Sequence, residues 1–162
     1  MGLAHDLLRQ ANHLAIYEGA NSSQANLRRA VSTAYYALFH LLVEEAGGRW
    51  QGSTEARTGL ERGLQHGSMK DAAQKFRNAT WKDWHGDQKT IPPALRQVAS
   101  AFVDLQDERH IADYDNHEQW SATEVQAILN SAHSAFQNWE SIRTDPMAGN
   151  FLLLMLLPKQ RA

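Results

Sequence analysis

Apolar residues recur at helical spacing along almost the whole chain, and no segment alternates with the period of two that marks a strand. Leu3, Leu7, Leu14 and Tyr17 share one face of a first helix predicted over Leu3–Tyr17. GANSS breaks it, and Ser22 or Ser23 supplies an N-cap for the next helix. That second helix is long, Gln24–Ala46, and Gly47-Gly48 ends it. GSTEARTGLERGLQHG predicts a weaker helix with internal glycines, SMKDAAQKFRNA a short one, and TWKDWHGDQKTIPP a loop. Pro92-Pro93 suits the first turn of a helix that runs to Tyr114 and carries Leu95, Val98, Ala99, Phe102 and Leu105. After DNHEQW, Ser121 and Glu124 form a capping box that opens the last long helix. Its stripe is Val125, Ile128, Leu129, Ala132, Phe136, Trp139 and Ile142, and DPMAGN reads as a turn.

Clean stripes joined by short connections predict an all-α fold, an antiparallel up-and-down bundle of four to six helices. The bundle is expected over residues 1–145. Residues 146–162 form a C-terminal apolar extension that packs on the bundle or on a second subunit.

The second helix is apolar on two sides. Leu27, Val31, Ala34, Leu38, Leu41 and Leu42 fall on one face, and Tyr36, Phe39 and Val43 fall opposite. A helix of this kind is central, or it faces both a core and a second surface. Beside the second strip run Arg29, Thr33, Tyr36 and His40. Burying that strip between two copies would give an isologous homodimer, whereas a neighbouring loop would cover it in a monomer.

A second anomaly lies in LQDERHIADYDNH, residues 105–117. The stripe of Val98, Phe102 and Leu105 runs into Arg109, with Asp113 one turn further. At that spacing the two interact along the helix. Half-buried charges need partners, so the pair is either a structural clasp closing the end of the bundle or the mark of a site.

Composition narrows the classes. The net charge is −2, so any nucleic-acid contact must be a local patch. The chain has no cysteine, hence no disulfide and no thiolate nucleophile or ligand, which suits a cytoplasmic protein. His5, Asp6, Arg9 and Gln10 interrupt the first helix, so it does not read as a signal peptide. The apolar run FLLLMLL is too short to span a bilayer, and no membrane association is expected.

ANLRRAVSTAYYALFHLLVEEAG (residues 25–47) and LQDERHIADYD (residues 105–115) resemble the HEPN family, the higher eukaryotes and prokaryotes nucleotide-binding domains. AYYALFH resembles the family's helix of form YYA-x-FH, and Arg109 with the following ADYD resembles a motif of a later helix. The resemblance runs from about Gly2 to Arg143. It implies a small antiparallel helical bundle, often dimeric. It implies either a metal-independent ribonuclease of toxin or phage-defence type, or a companion of a minimal nucleotidyltransferase. Nuclease members carry Arg, four to six residues, then His, at a site where two copies meet. The Arg steadies the phosphorane charge and the His moves a proton at the 2′-hydroxyl. Here seven residues separate Arg109 from His117, and Tyr114 rather than His stands at the family spacing. The resemblance therefore carries over Arg109, Asp113 and Tyr114, with His117 and His40 as the imidazoles available for catalysis. Arg29 and Tyr36 are added as nucleotide or RNA contacts.

Arg77–Lys89 interleaves Trp81 and Trp84 with Arg77, Lys82, His85 and Lys89. That pattern serves single-stranded RNA, with Trp81 stacking and Lys82 on phosphate, or it is a loop pinned to the bundle by its tryptophans. His110, Asp113, Asp115 and His117 lack a second ligand segment, so no metal site is expected. There is no glycine-rich phosphate loop, and no cofactor is expected. Three classes stay open: an RNA-cleaving enzyme, a module that holds RNA or a nucleotide without cutting it, and a partner module of a nucleotidyltransferase.

Overall fold

A computed structural model describes residues 2–157. The chain is an all-α helical bundle with seven α-helices and one small hairpin among those residues. In order they are α1 (Leu3–Ile16), a 3-10 turn (Gly19–Asn21), α2 (Gln24–Gly48), α3 (Thr54–Gly63), α4 (His66–Phe76), β1 (Thr80–Lys82), β2 (Gln88–Thr90), α5 (Pro93–Tyr114), α6 (Ala122–Ile142) and α7 (Pro146–Leu156). No helix among them is long and apolar enough to cross a membrane.

Local signals explain most boundaries. Ser23 Oγ accepts from Asn26 N at 3.2 Å and starts α2. The capping box of α6 closes in both directions, Glu124 N to Ser121 Oγ at 3.1 Å and Ser121 N to Glu124 Oε2 at 2.9 Å. Two segments differ from the expectation. DPMAGN is not a turn: Asp145 caps α7 by accepting from Met147 N, and Pro146 fills the first helical position, so the pair starts a helix. TWKDWHGDQKT is not a bare loop: Thr80 pairs with Thr90 and Lys82 with Gln88 across an antiparallel hairpin. Gly86, with φ of 89°, makes its turn.

The chain divides into two compact units, Met1–Leu41 with Asp104–Phe136, and Leu42–Val103 with Gln137–Ala162. In the first, the buried face of α1 is Ala4, Leu8, Ala11 and Ala15. The leucine face read from the sequence is the outer one: Leu3 is 52% exposed, Tyr17 68%, and Leu7 and Leu14 are half-buried. Alanines on a helix let neighbouring backbones come close, so the small residues went inside. The same unit also buries Leu27, Val31, Ala34, Leu38, Leu105, Val125, Leu129 and Ala132.

In the second unit α7 packs on α4, with the Phe76 and Phe151 rings 5.0 Å apart. Trp81 holds the hairpin down: its ring is 5.2 Å from Phe76 and it is buried. The end of the expected C-terminal extension, residues 158–162, lies outside the described residues.

Candidate functional site

Two features of the first unit meet at Tyr36. The first is a polar clasp. The Arg109 guanidinium carbon lies 5.2 Å from the Tyr35 ring centroid and 5.8 Å from that of Tyr36. Both are cation–π distances. Arg109 Nη1 is 3.5 Å from Asp113 Oδ2, and the Ser32 hydroxyl donates to the other oxygen of the same carboxylate. Ser32 is itself buried. Arg109 is the more covered partner of the ion pair, its side chain 14% exposed against 32% for Asp113. Its Nε has no hydrogen-bond partner among the described residues. Burial pushes the Tyr35 phenol well above the usual tyrosine range, Arg109 pulls it back, and Tyr36 adds to the rise. Tyr35 is therefore neutral at any physiological pH.

The second feature is a groove of about 470 Å³ between α1 and α2. Leu3, Leu7, Gln10 and Leu14 of α1 form one wall, and Arg29, Thr33, Tyr36 and His40 of α2 form the other. Heptad-like spacing on two adjacent helices dictates this pairing of an apolar wall with a polar one. Phe39 meets the His40 ring edge-on at 5.3 Å. The groove offers one cation, Arg29, which is exposed, and one imidazole, His40, half-buried.

The residues singled out from sequence thus fall into three places. Arg29, Tyr36 and His40 share the groove, and Tyr36 also faces Arg109 and, through it, Asp113. Tyr114 and His117 line a separate surface pocket of about 430 Å³ at the end of α5, with His110 and Asp115. There Tyr114 is exposed and meets the His110 ring at 5.0 Å with the two planes tilted. His117 N bonds to Asp115 Oδ1, which turns the chain away from the helix. Trp81 and Lys82 belong to the second unit, the ring buried and the lysine exposed. Among the described residues, no cluster of three or more His, Asp or Glu side chains is placed to hold a metal ion.

Arg28 carries no signal in the sequence. It donates to the carbonyls of Ala112 at 2.9 Å, Asp115 at 2.7 Å and Glu118, tying the end of α5 to α2. A cation at a helix C-terminus is where the dipole favours it. Ser32 carries none either, because a serine within an apolar run does not disclose its partner.

The first unit contains four arginines and no lysine against nine carboxylates, a net −5. Glu108 feels this: burial first, then Asp104, Glu118, Asp107 and Glu124, raises its carboxyl above the ordinary range. An anion is therefore attracted to this unit only locally, beside an arginine.

No family model matches this chain, and no curated protein and no solved structure matches it.

Proposed function

We propose that the chain is a HEPN-like, nucleic-acid-associated module that works as a homodimer through the groove of α1 and α2, and that it cleaves RNA there without a metal. The observation that carries this reading is the position of Tyr36. Its ring faces the Arg109 guanidinium and lines the same groove as Arg29 and His40. Arginines and an imidazole are the groups that metal-independent RNA cleavage needs. His40, rather than His117, is then the proton-transfer group. It takes the proton of the 2′-hydroxyl as that oxygen attacks phosphorus, and Arg29 holds the charge that develops. His40 of a second copy protonates the leaving 5′-oxygen, and the product is a 2′,3′-cyclic phosphate. Arg109 positions Tyr36 and adds positive potential behind it.

The leucine wall supports the dimer: exposed Leu3 and half-buried Leu7 and Leu14 offer apolar surface whose further burial favours association. The test is incubation of the purified protein with a mixed tRNA and mRNA pool in EDTA, beside His40→Ala, Arg109→Ala and His117→Ala. Cleavage lost in the first two and kept in the third supports the reading. Cleavage lost only in His117→Ala moves the site to the pocket at the end of α5.

A second reading, a non-cutting RNA or nucleotide holder or a partner module for a nucleotidyltransferase, is favoured by one observation. Arg109 is already committed to Asp113 within a unit of net −5. A folded dimer that leaves the RNA pool intact supports that reading over cleavage.

A further inference from the structure

The second unit carries an aromatic cleft that the groove chemistry does not use. It has a volume of about 640 Å³, within the range of small-ligand sites, and lies where α4, the hairpin and α7 meet. Two tryptophans at its edge have different fates. Trp81 is buried and spent on Phe76. Trp84 is 47% exposed and rests on Trp81 at 5.2 Å with the rings nearly perpendicular. A large exposed ring usually adds conformational freedom, yet the turn that carries Trp84 is tied. Asp83 Oδ1 accepts from His85 N and Asp87 N, both at 2.9 Å, and Asp83 N donates to Asp87 O at 2.8 Å. These backbone bonds also hold the Asp83 carboxyl below its ordinary range. The platform is thus preorganised.

Around it stand Lys75 and Lys82, both exposed, and Asn78. Asp71 and Asp83 line the cleft as well, but Asp83 faces its own turn and Lys89, at 3.8 Å. The second unit has twelve basic against nine acidic residues, opposite in sign to the first.

We propose that this cleft binds single-stranded RNA, one base stacking on Trp84 and the flanking phosphates meeting Lys82 and Lys75. Base stacking on an exposed aromatic beside backbone-tracking cations is the common chemistry of single-strand binding. A duplex hides its base faces, so the cleft discriminates against it. The inference stands apart from the groove reading, because it concerns binding on other residues.

The test is a titration of the full chain with a hexamer of uridylate, followed by fluorescence anisotropy of a label on the RNA. Wild type binds the single strand and not a duplex of equal length. Trp84→Ala weakens binding about ten-fold or more, Trp84→Phe retains most of it, and Lys82→Ala weakens it in a salt-dependent manner. Trp84 lies outside the core, so an unchanged thermal midpoint confirms that each variant is folded. Binding that is indifferent to Trp84→Ala, equal affinity for the duplex, or no binding by the wild type overturns the proposal. The hexamer carries 2′-O-methyl riboses, which the groove chemistry does not cleave, and binding is read as the difference between wild type and Trp84→Ala, so failure of this reading is distinguishable from failure of the groove reading.

Discussion

Ser32 on α2 donates its hydroxyl to Asp113 on α5, the carboxylate that also holds Arg109. One acidic side chain thereby positions a cation against two tyrosine rings. Asp113→Ala should cost about 1–3 kcal/mol, because a largely covered guanidinium loses its partner. Ser32→Ala should cost about 1 kcal/mol, and the double variant less than the sum, since the two act on one carboxylate. Urea denaturation of the four proteins measures the coupling. Additive losses would mean that the hydroxyl and the carboxylate act separately.

Arg28 predicts a loss with a local signature. Arg28→Ala removes charge-assisted bonds to three carbonyls and should cost about 1.5–3 kcal/mol. Amide exchange should accelerate first at the end of α5, around Ile111–Asp115. Uniform acceleration across the first unit would point to a general packing defect instead.

Glu108 sets a pH dependence. Its carboxyl is raised in the folded chain, first by burial and then by its acidic neighbours. Folding therefore takes up protons at this group. The associated stability is complete below the ordinary glutamate range and is lost as pH rises through the raised value. Glu108→Gln removes that titration, so at pH 7 it should be the more stable protein, by less than about 1 kcal/mol given solvent screening. The difference should close as pH falls below about 4. Thermal melts from pH 3 to 8 check the sign.

Leu14→Glu places a charge on the apolar wall of the groove without entering the core, since Leu14 is only half-buried. Sedimentation equilibrium should show a dimeric wild type and a monomeric variant with retained helicity. A monomeric wild type would remove the basis for a shared site.

The helices were legible in the sequence because stripes and caps are local, as Ser121 with Glu124 illustrates. The short hairpin was not, since three-residue strands leave no usable period. The buried face of α1 was not legible: leucine outweighs alanine on a wheel, so the leucines mark a face, whereas close helix packing selected Ala4, Ala11 and Ala15 for the core. Arg28 and Arg29 are adjacent, and no local rule tells which turns to the end of α5 and which to the groove. His40 sits one turn from Tyr36 on α2 and was legible beside it, whereas Arg109 is far away in the chain and only the fold brings it to Tyr36. His117, nearer to Arg109 in sequence, lines a different pocket.

Cleavage by 2′-hydroxyl attack with His40 as the proton-transfer group, as we propose, has a direct chemical signature. The most direct measurement is incubation of a defined single-stranded RNA in EDTA, beside the same RNA with every ribose 2′-O-methylated, followed by analysis of the product ends. The account predicts 2′,3′-cyclic phosphate ends from the unmodified strand, none from the methylated one, and no cleavage by a folded His40→Ala variant. Intact RNA after incubation with the folded dimer, or equal cleavage by His40→Ala, would contradict it.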